Sequence, residues 1–225
     1  MIQLSASKLN VLKECKRCFW DANTASLARP RGAFPSLPGG MDGVLKTYFD
    51  QYRGSIPPRL VGKVPGILLD DQPLLKKWRN WRTGMTYIDN KLGVRLIGAL
   101  DDCLLDGELY IPLDYKTKGS EPKDDGSQYY QIQLNVYNLM LKASGYKIAE
   151  KAFLVYVYPV KIHDGEKITT VEFAFKPYEI ACSSSDAKDF IKQAVDILNG
   201  PRPESASTCE HCNFALGYAG IEKSV

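Results

Sequence analysis

Nowhere in the chain do apolar residues run for the ~18 positions that a membrane-spanning helix needs, so no contact with a membrane is expected. The first residues, Met1-Ile2-Gln3-Leu4-Ser5-Ala6-Ser7-Lys8, lack the basic segment and apolar stretch of a secretory signal. Charge of one sign is lacking too: 29 basic against 26 acidic residues leave a net +3, too little to declare a nucleic-acid partner. There is no internal repeat and no low-complexity segment. With 44% hydrophobic and 24% charged residues, disordered, collagen-like and coiled-coil classes are excluded. The expectation is a cytoplasmic globular chain of 225 residues, nearer one elaborated domain than two. It is long enough to bury a core without covalent staples.

Against those absences, six cysteines stand out. Four form two pairs at opposite ends, Cys15-Lys16-Arg17-Cys18 and Cys209-Glu210-His211-Cys212. Where thiols stay reduced, such close pairs read as metal or redox sites before disulfides. If the two ends meet, four thiolates suit a structural Zn2+ or an iron–sulfur cluster, with His211 a bystander or a substitute ligand. Either would clamp the N-terminal helix to the C-terminal tail, and its binding energy would count toward folding. Cys103 and Cys182 read as small buried hydrophobes.

Periodicity places a helix from Ser5 to about Trp20, capped by Ser5 or Ser7. A Pro- and Gly-rich loop follows from Arg29 to Gly40, then a helix over Asp42–Arg53 and a short one over Leu74–Trp81. Leu92–Leu105 reads as a strand, Asp106-Gly107 as a hairpin turn, and Glu108–Thr117 as the returning strand. On that second strand Asp114 and Lys116 are two apart and share a face. A helix over Tyr129–Ser144, strands over Ala152–Pro159 and Ile168–Phe175, and a helix over Asp186–Asn199 complete the pattern.

A hairpin of this length can bring Asp101 beside Asp114. Two hard oxygen ligands suit Mg2+ or Mn2+, which keep several waters and bridge to phosphate oxygens. Such an ion acidifies water and neutralises charge building on a phosphate under attack. Lys116 can steer or deprotonate the attacking water, or stabilise the developing oxyanion. The plain alternative is a solvated cross-strand ion pair worth little. Gly98 can let a nucleic-acid backbone or a neighbouring strand come close.

The company these residues keep resembles a known family. Ser5-Ala6-Ser7-Lys8-Leu9-Asn10 through Cys15, Arg17 and Trp20 is similar to the N-terminal helix of RecB-like PD-(D/E)XK nucleases. Gly98 with Asp101, and Leu113-Asp114-Tyr115-Lys116-Thr117, resemble that family's two acidic motifs in order and spacing. Gln133-Leu134-Asn135-Val136-Tyr137 resembles its Gln-x-x-x-Tyr element. The resemblance implies a restriction-endonuclease-like α/β fold with an αβββαβ core, a central mixed sheet flanked by helices. It implies a metal-dependent DNA nuclease, with exonuclease the favoured mode, or else a weak or inactive DNA-binding or adaptor module on the same fold.

By that resemblance Asp101, Asp114 and the peptide carbonyl of Tyr115 are Mg2+ or Mn2+ ligands and Lys116 is the catalytic lysine. Gln133 and Tyr137 lie near the active site and DNA; by themselves they read as a polar helix face. The branch commonly carries a metal-ligating histidine on a helix before the core strands, and this chain has none there. Asp42 is the nearest substitute, with helix N-capping its alternative. Asp102, beside Asp101, faces the opposite way on a strand, and the family spacing favours Asp101. Relatives of the AddB and CRISPR-associated kinds carry a 4Fe–4S cluster with one N-terminal and three C-terminal cysteines. The two-and-two split here departs from that, so a cluster is favoured and zinc stays open. Implied partners are DNA, single-stranded or with free ends, and helicase or CRISPR-integration proteins. Repair, recombination and phage DNA processing all use such domains. Basic residues near the first pair (Lys8, Lys13, Lys16, Arg17), Lys76, Lys77, Arg79 and Arg82 with Trp78 and Trp81, and Lys118 and Lys123 are the DNA-facing candidates. The expected organisation is one nuclease domain over 1–225. Residues 1–28 and 201–225 form the metal clamp, 29–91 a mostly helical insertion and 92–200 the catalytic core.

Overall fold

The computed structural model describes residues 1–33 and 35–222. The end of the expected clamp region, 223–225, and position 34 of the insertion lie outside the described residues. The chain begins with strand β1 (Ile2–Ser5), helix α1 (Ala6–Glu14) and helix α2 (Lys16–Thr24). Ser5 caps α1 by accepting from the Lys8 backbone N–H at 3.3 Å. The expected single helix is broken at Cys15, whose extended backbone (φ −159°, ψ 114°) ends one helix and starts the next.

Helix α3 (Ser36–Asp50) starts six residues before the expected Asp42, through Pro38, Gly39 and Gly40. A proline in the first turn costs no helical bond, because those N–H groups have no partner anyway. The next stretch holds a short 3-10 turn (Pro58–Leu60), strand β2 (Ile67–Leu68), helix α4 (Gln72–Trp78) and strand β3 (Met85–Asp89). Residues 29–91 are therefore not only helical. The insertion gives a strand to each of two sheets, and in β3 the alternating Met85 and Tyr87 are buried.

The expected strand over Leu92–Leu105 is two: β4 (Val94–Gly98) and β5 (Asp102–Asp106). They belong to different sheets, and the break falls at Ala99, Leu100 and Asp101. β6 (Leu109–Thr117) returns from β5 through a tight turn in which Gly107 takes φ +59°. Helix α5 (Ser127–Ala143), strands β7 (Lys151–His163) and β8 (Thr170–Ala181), and helices α6 (Ser184–Asn199) and α7 (Glu210–Glu222) follow.

The main sheet runs β2-β5-β6-β7-β8, with β6 and β7 parallel and its other neighbours antiparallel. A smaller sheet, β1-β4-β3, lies with it around the shared core. This is a mixed α/β fold with a curled central sheet flanked by helices, as a restriction-endonuclease-like core requires. Within the main sheet the chain order β5, β6, α5 and β7 follows the later part of an αβββαβ core. On one side of β6, Tyr115 stacks on Phe49 of α3 with ring centroids 4.2 Å apart. On the other, α5 lays Leu134, Tyr137 and Leu141 into the larger core.

Gly98 is what lets α5 approach β4. A Cβ there would stand 2.9 Å from Met140 Sδ and 3.4 Å from a Tyr137 ring carbon. The space belongs to a helix, not to a strand or a nucleic-acid backbone.

Candidate functional site

The acidic site forms where β5 begins. Asp102 pairs with Leu113 across the β5–β6 ladder, so Asp101, one residue earlier, sits beside Asp114 at its open end. Asp114 is 1% exposed. Its Oδ1 accepts from Gln133 Nε2 at 3.0 Å, and Gln133 Nε2 also donates to the Tyr137 hydroxyl at 2.7 Å. Gln133 and Tyr137 thus reach the acids from one face of α5, four residues apart.

The Lys116 ammonium is in ion-pair contact with Asp114 Oδ2 and lies 4.9 Å from the Tyr130 ring centroid. Yet among the described residues Asp114 Oδ2 has no properly directed hydrogen-bond partner. Burial pushes the Asp114 carboxyl up to about 7; nearby Asp101 adds to the rise and Lys116 opposes it. A buried carboxylate with a second carboxylate beside it fits a hard divalent cation.

The Tyr115 peptide group faces the β5 side of β6. Lys118 N–H bonds to Val157 carbonyl, so even-numbered residues of β6 present their peptide groups to β7 and odd-numbered ones to β5. Tyr115 lies past the last β5 pairing at Leu113, so its carbonyl points to where β5 has no ladder partner for it. Its side chain does something else: the hydroxyl donates to Asp102 Oδ2, beneath the site.

Asp102 faces away from Asp101, as strand alternation requires, and is fully buried. Arg53 donates to it at 2.6 Å, Arg79 reaches it at 3.2 Å, and both guanidiniums also hold Asp50. Arg79 Nε further donates to the Asp101 main-chain carbonyl at 2.7 Å. A buried charge network therefore anchors the backbone that carries Asp101. The open groove lined by Asp50, Lys76, Arg79 and Asn80 adjoins that network, and neither Asp101 nor Asp114 lines it.

Asp42 sits on α3, 45% exposed, and is not brought against Asp101 or Asp114. A lysine stands between: Lys46 Nζ lies 2.7 Å from Asp42 Oδ2 and 3.1 Å from Asp101 Oδ1. Sequence reasoning missed Lys46. Burial works against its charge, but Asp101 and Asp42 outweigh that and hold its pKa above the ordinary lysine value. The signal was present, because Asp42 and Lys46 are four apart on a helix.

The basic candidates divide. Arg79 is committed to the buried network and Trp78 to the core, whereas Trp81 is 71% exposed with the Arg82 guanidinium 4.8 Å from its ring centroid. Arg17 is held by Glu204 and the Pro203 carbonyl, and Lys13 by the Gln128 carbonyl. Lys118 lies 5.2 Å from the Tyr156 ring centroid.

At the far end the four terminal cysteines meet. Their sulfurs all lie within 4.8 Å of one another, buried, with Cys15–Cys212 at 3.9 Å and Cys18 at 3.5 Å from both Cys209 and Cys212. A tetrahedral ion with metal–sulfur bonds of about 2.3 Å separates its sulfurs by about 3.8 Å. Burial works against ionising Cys15, yet the Cys18 and Ala206 backbone N–H groups and the neighbouring thiols bring it down to about 6. Burial and the other three sulfurs raise Cys212. Four crowded thiols of this kind fit a cation. His211 is exposed, while Cys103 and Cys182 are buried away from the cluster.

Other contacts tie the same ends together. Arg202 Nε and Nη2 each donate to Asp21 at 2.7 Å, and Trp20 Nε1 donates to the Gly200 carbonyl at 3.2 Å. Among the described residues no helix is long and apolar enough to cross a membrane.

No curated protein matches the sequence. A solved structure described as "Crystal structure of SSO0001" is similar, at 16% identity and TM-score 0.48, covering 96% of this chain and 85% of that one. The model of the PD-(D/E)XK nuclease superfamily matches residues 51–215, a span that holds Asp101, Asp114 and Lys116. Those residues are well over half of the chain, and the chain belongs to the PD-(D/E)XK nuclease superfamily.

Proposed function

We propose that the protein is a Mg2+- or Mn2+-dependent deoxyribonuclease, acting as an exonuclease on DNA strands with free ends. The observation that carries this is the convergence of Asp101, Asp114 and Lys116 at one strand end, with Asp114 oriented by Gln133. Asp101, Asp114 and the Tyr115 carbonyl would hold the divalent ion, which when bound supplies positive charge and Lewis acidity at the scissile phosphate. Lys116, kept protonated beside Asp114, offers a proton donor and a charge for the oxyanion that builds on phosphorus. Gln133 holds one Asp114 oxygen while Lys116 faces the other. Exposed Trp81 with Arg82 suits stacking and backbone contact on a single strand. Repair, recombination or related DNA processing is the setting such an activity serves.

The thiolate set, in this reading, holds one structural Zn2+. Four sulfurs within 4.8 Å of one another, three pairs of them 3.5–3.9 Å apart, suit a single tetrahedral ion, and the cluster that the family resemblance implied is the alternative.

The test is direct. Purified protein is assayed on end-labelled single- and double-stranded DNA with Mn2+ or with EDTA, beside Lys116→Ala. Stepwise shortening that needs Mn2+ and is lost in Lys116→Ala is expected. Equal degradation by both proteins overturns the assignment, and internal cuts on circular DNA overturn the exonuclease mode.

A further inference from the structure

Resting on the nuclease reading, we infer that Lys46 is a charge-exchange residue: it holds Asp101 until a divalent cation takes that carboxylate, then shifts to Asp42 and the incoming DNA phosphate. Three observations carry it. First, the ammonium lies between two carboxylates, 3.1 Å from Asp101 Oδ1 and 2.7 Å from Asp42 Oδ2. A divalent cation held by Asp101 would compete with the ammonium for that carboxylate, because their like charges repel.

Second, the way out is built in. Asp42 lies one turn earlier on the same helix, so Lys46 moves by rotating its own stem and the backbone stays still. Lys116 differs: its ion-pair partner is Asp114, two residues earlier on a central strand. Third, the Asp101 side chain is 21% exposed and Asp42 45%, so the shift carries the charge toward the more exposed carboxylate. An ammonium there would be placed to meet a DNA phosphate.

The consequence is a site that is close to neutral when empty and cationic once loaded. Asp101 and Asp114 face Lys46 and Lys116 before the metal enters. Metal binding then presents a net positive charge to DNA.

Mn2+ titration by calorimetry on wild type, Lys46→Met, Asp42→Asn and the double variant tests this, with thermal unfolding in EDTA confirming that each is folded. Lys46→Gln serves as the second variant if Lys46→Met does not fold. Removing the competitor is expected to tighten Mn2+ binding about 10-fold. Asp42→Asn is expected to weaken it, because Lys46 is then left on Asp101, and the double variant is expected to match Lys46→Met. With Ca2+ in place of Mn2+, Lys46→Met is expected to bind DNA more weakly, with a salt slope smaller by about 1. Unchanged or weaker Mn2+ binding in Lys46→Met overturns the proposal. So does a double variant weaker than Lys46→Met, which makes Asp42 a ligand in its own right. A wild type that takes up Mn2+ yet leaves DNA intact contradicts the nuclease reading alone, and the titration still decides on Lys46.

Discussion

At one end of the main sheet two carboxylates face two ammoniums, Asp101 with Lys46 and Asp114 with Lys116. Where the termini meet, four sulfurs face one another, with the Arg29 guanidinium 3.8 Å from Cys209. The first set is balanced by the protein's own cations, one lysine to each carboxylate. The second has one guanidinium at its edge, and its four sulfurs lie within 4.8 Å of one another. On the proposed function, the difference is the one between an exchangeable catalytic metal and a resident structural one: an open coordination shell against a closed one.

The comparison breaks most sharply under Asp114→Asn. Cleavage is expected to fall by about 10³-fold. Thermal unfolding should stay level or rise, since burial already disfavours the Asp114 charge. A matching loss of Tm would make the acidic site structural too. Cys209→Ser is expected to do the reverse. Zinc stoichiometry falls and Tm drops by about 10 °C or more, while cleavage per folded molecule persists. Cys103→Ala, outside both sites, should retain the metal.

A third set of charges sharpens the contrast, because it serves neither metal. Arg53→Met leaves the buried Asp102 short of its main partner and is expected to cost about 3–5 kcal/mol in urea unfolding. Asp102→Asn should cost less, since it removes the buried charge itself. The smallest effect belongs to Arg202→Ala at the clamp. Arg202 is half exposed, so solvent screening limits the loss to about 0.5 kcal/mol near neutral pH. Hydrogen bonds from Arg202 hold the Asp21 carboxyl below its ordinary value. The pair's contribution is therefore complete above the unfolded aspartate pKa of about 3.9 and disappears as pH falls through the lower folded value. Unfolding curves of wild type and Arg202→Ala should differ at pH 7 and converge near pH 2.

Where a local period coincided with a spacing, the sequence was legible. Asp114 and Lys116 on one face of a strand, the hairpin that brings Asp101 alongside, and two cysteine pairs at the ends could all be read directly. Gln133 and Tyr137 were legible through the family resemblance and meet Asp114 as a unit. The network of Asp50, Arg53, Arg79, Asp102 and Tyr115 was not, because its members come from four separate stretches of chain and each charged member alone reads as surface charge. β4 and β5 read as one strand because Ala99 and Leu100 continue the apolar run across the break. α7 carries no apolar stripe, being apolar on several sides with Phe214, Leu216 and Tyr218 all exposed, so periodicity was silent there.

One measurement bears on both sites together. Protein dialysed against EDTA is analysed for metals and assayed on end-labelled DNA before and after Mn2+ is returned. The expected result is one zinc retained per chain, no cleavage after dialysis, and full cleavage restored by Mn2+ alone. Cleavage that continues after dialysis without any added divalent ion would contradict the division of labour between the two sites.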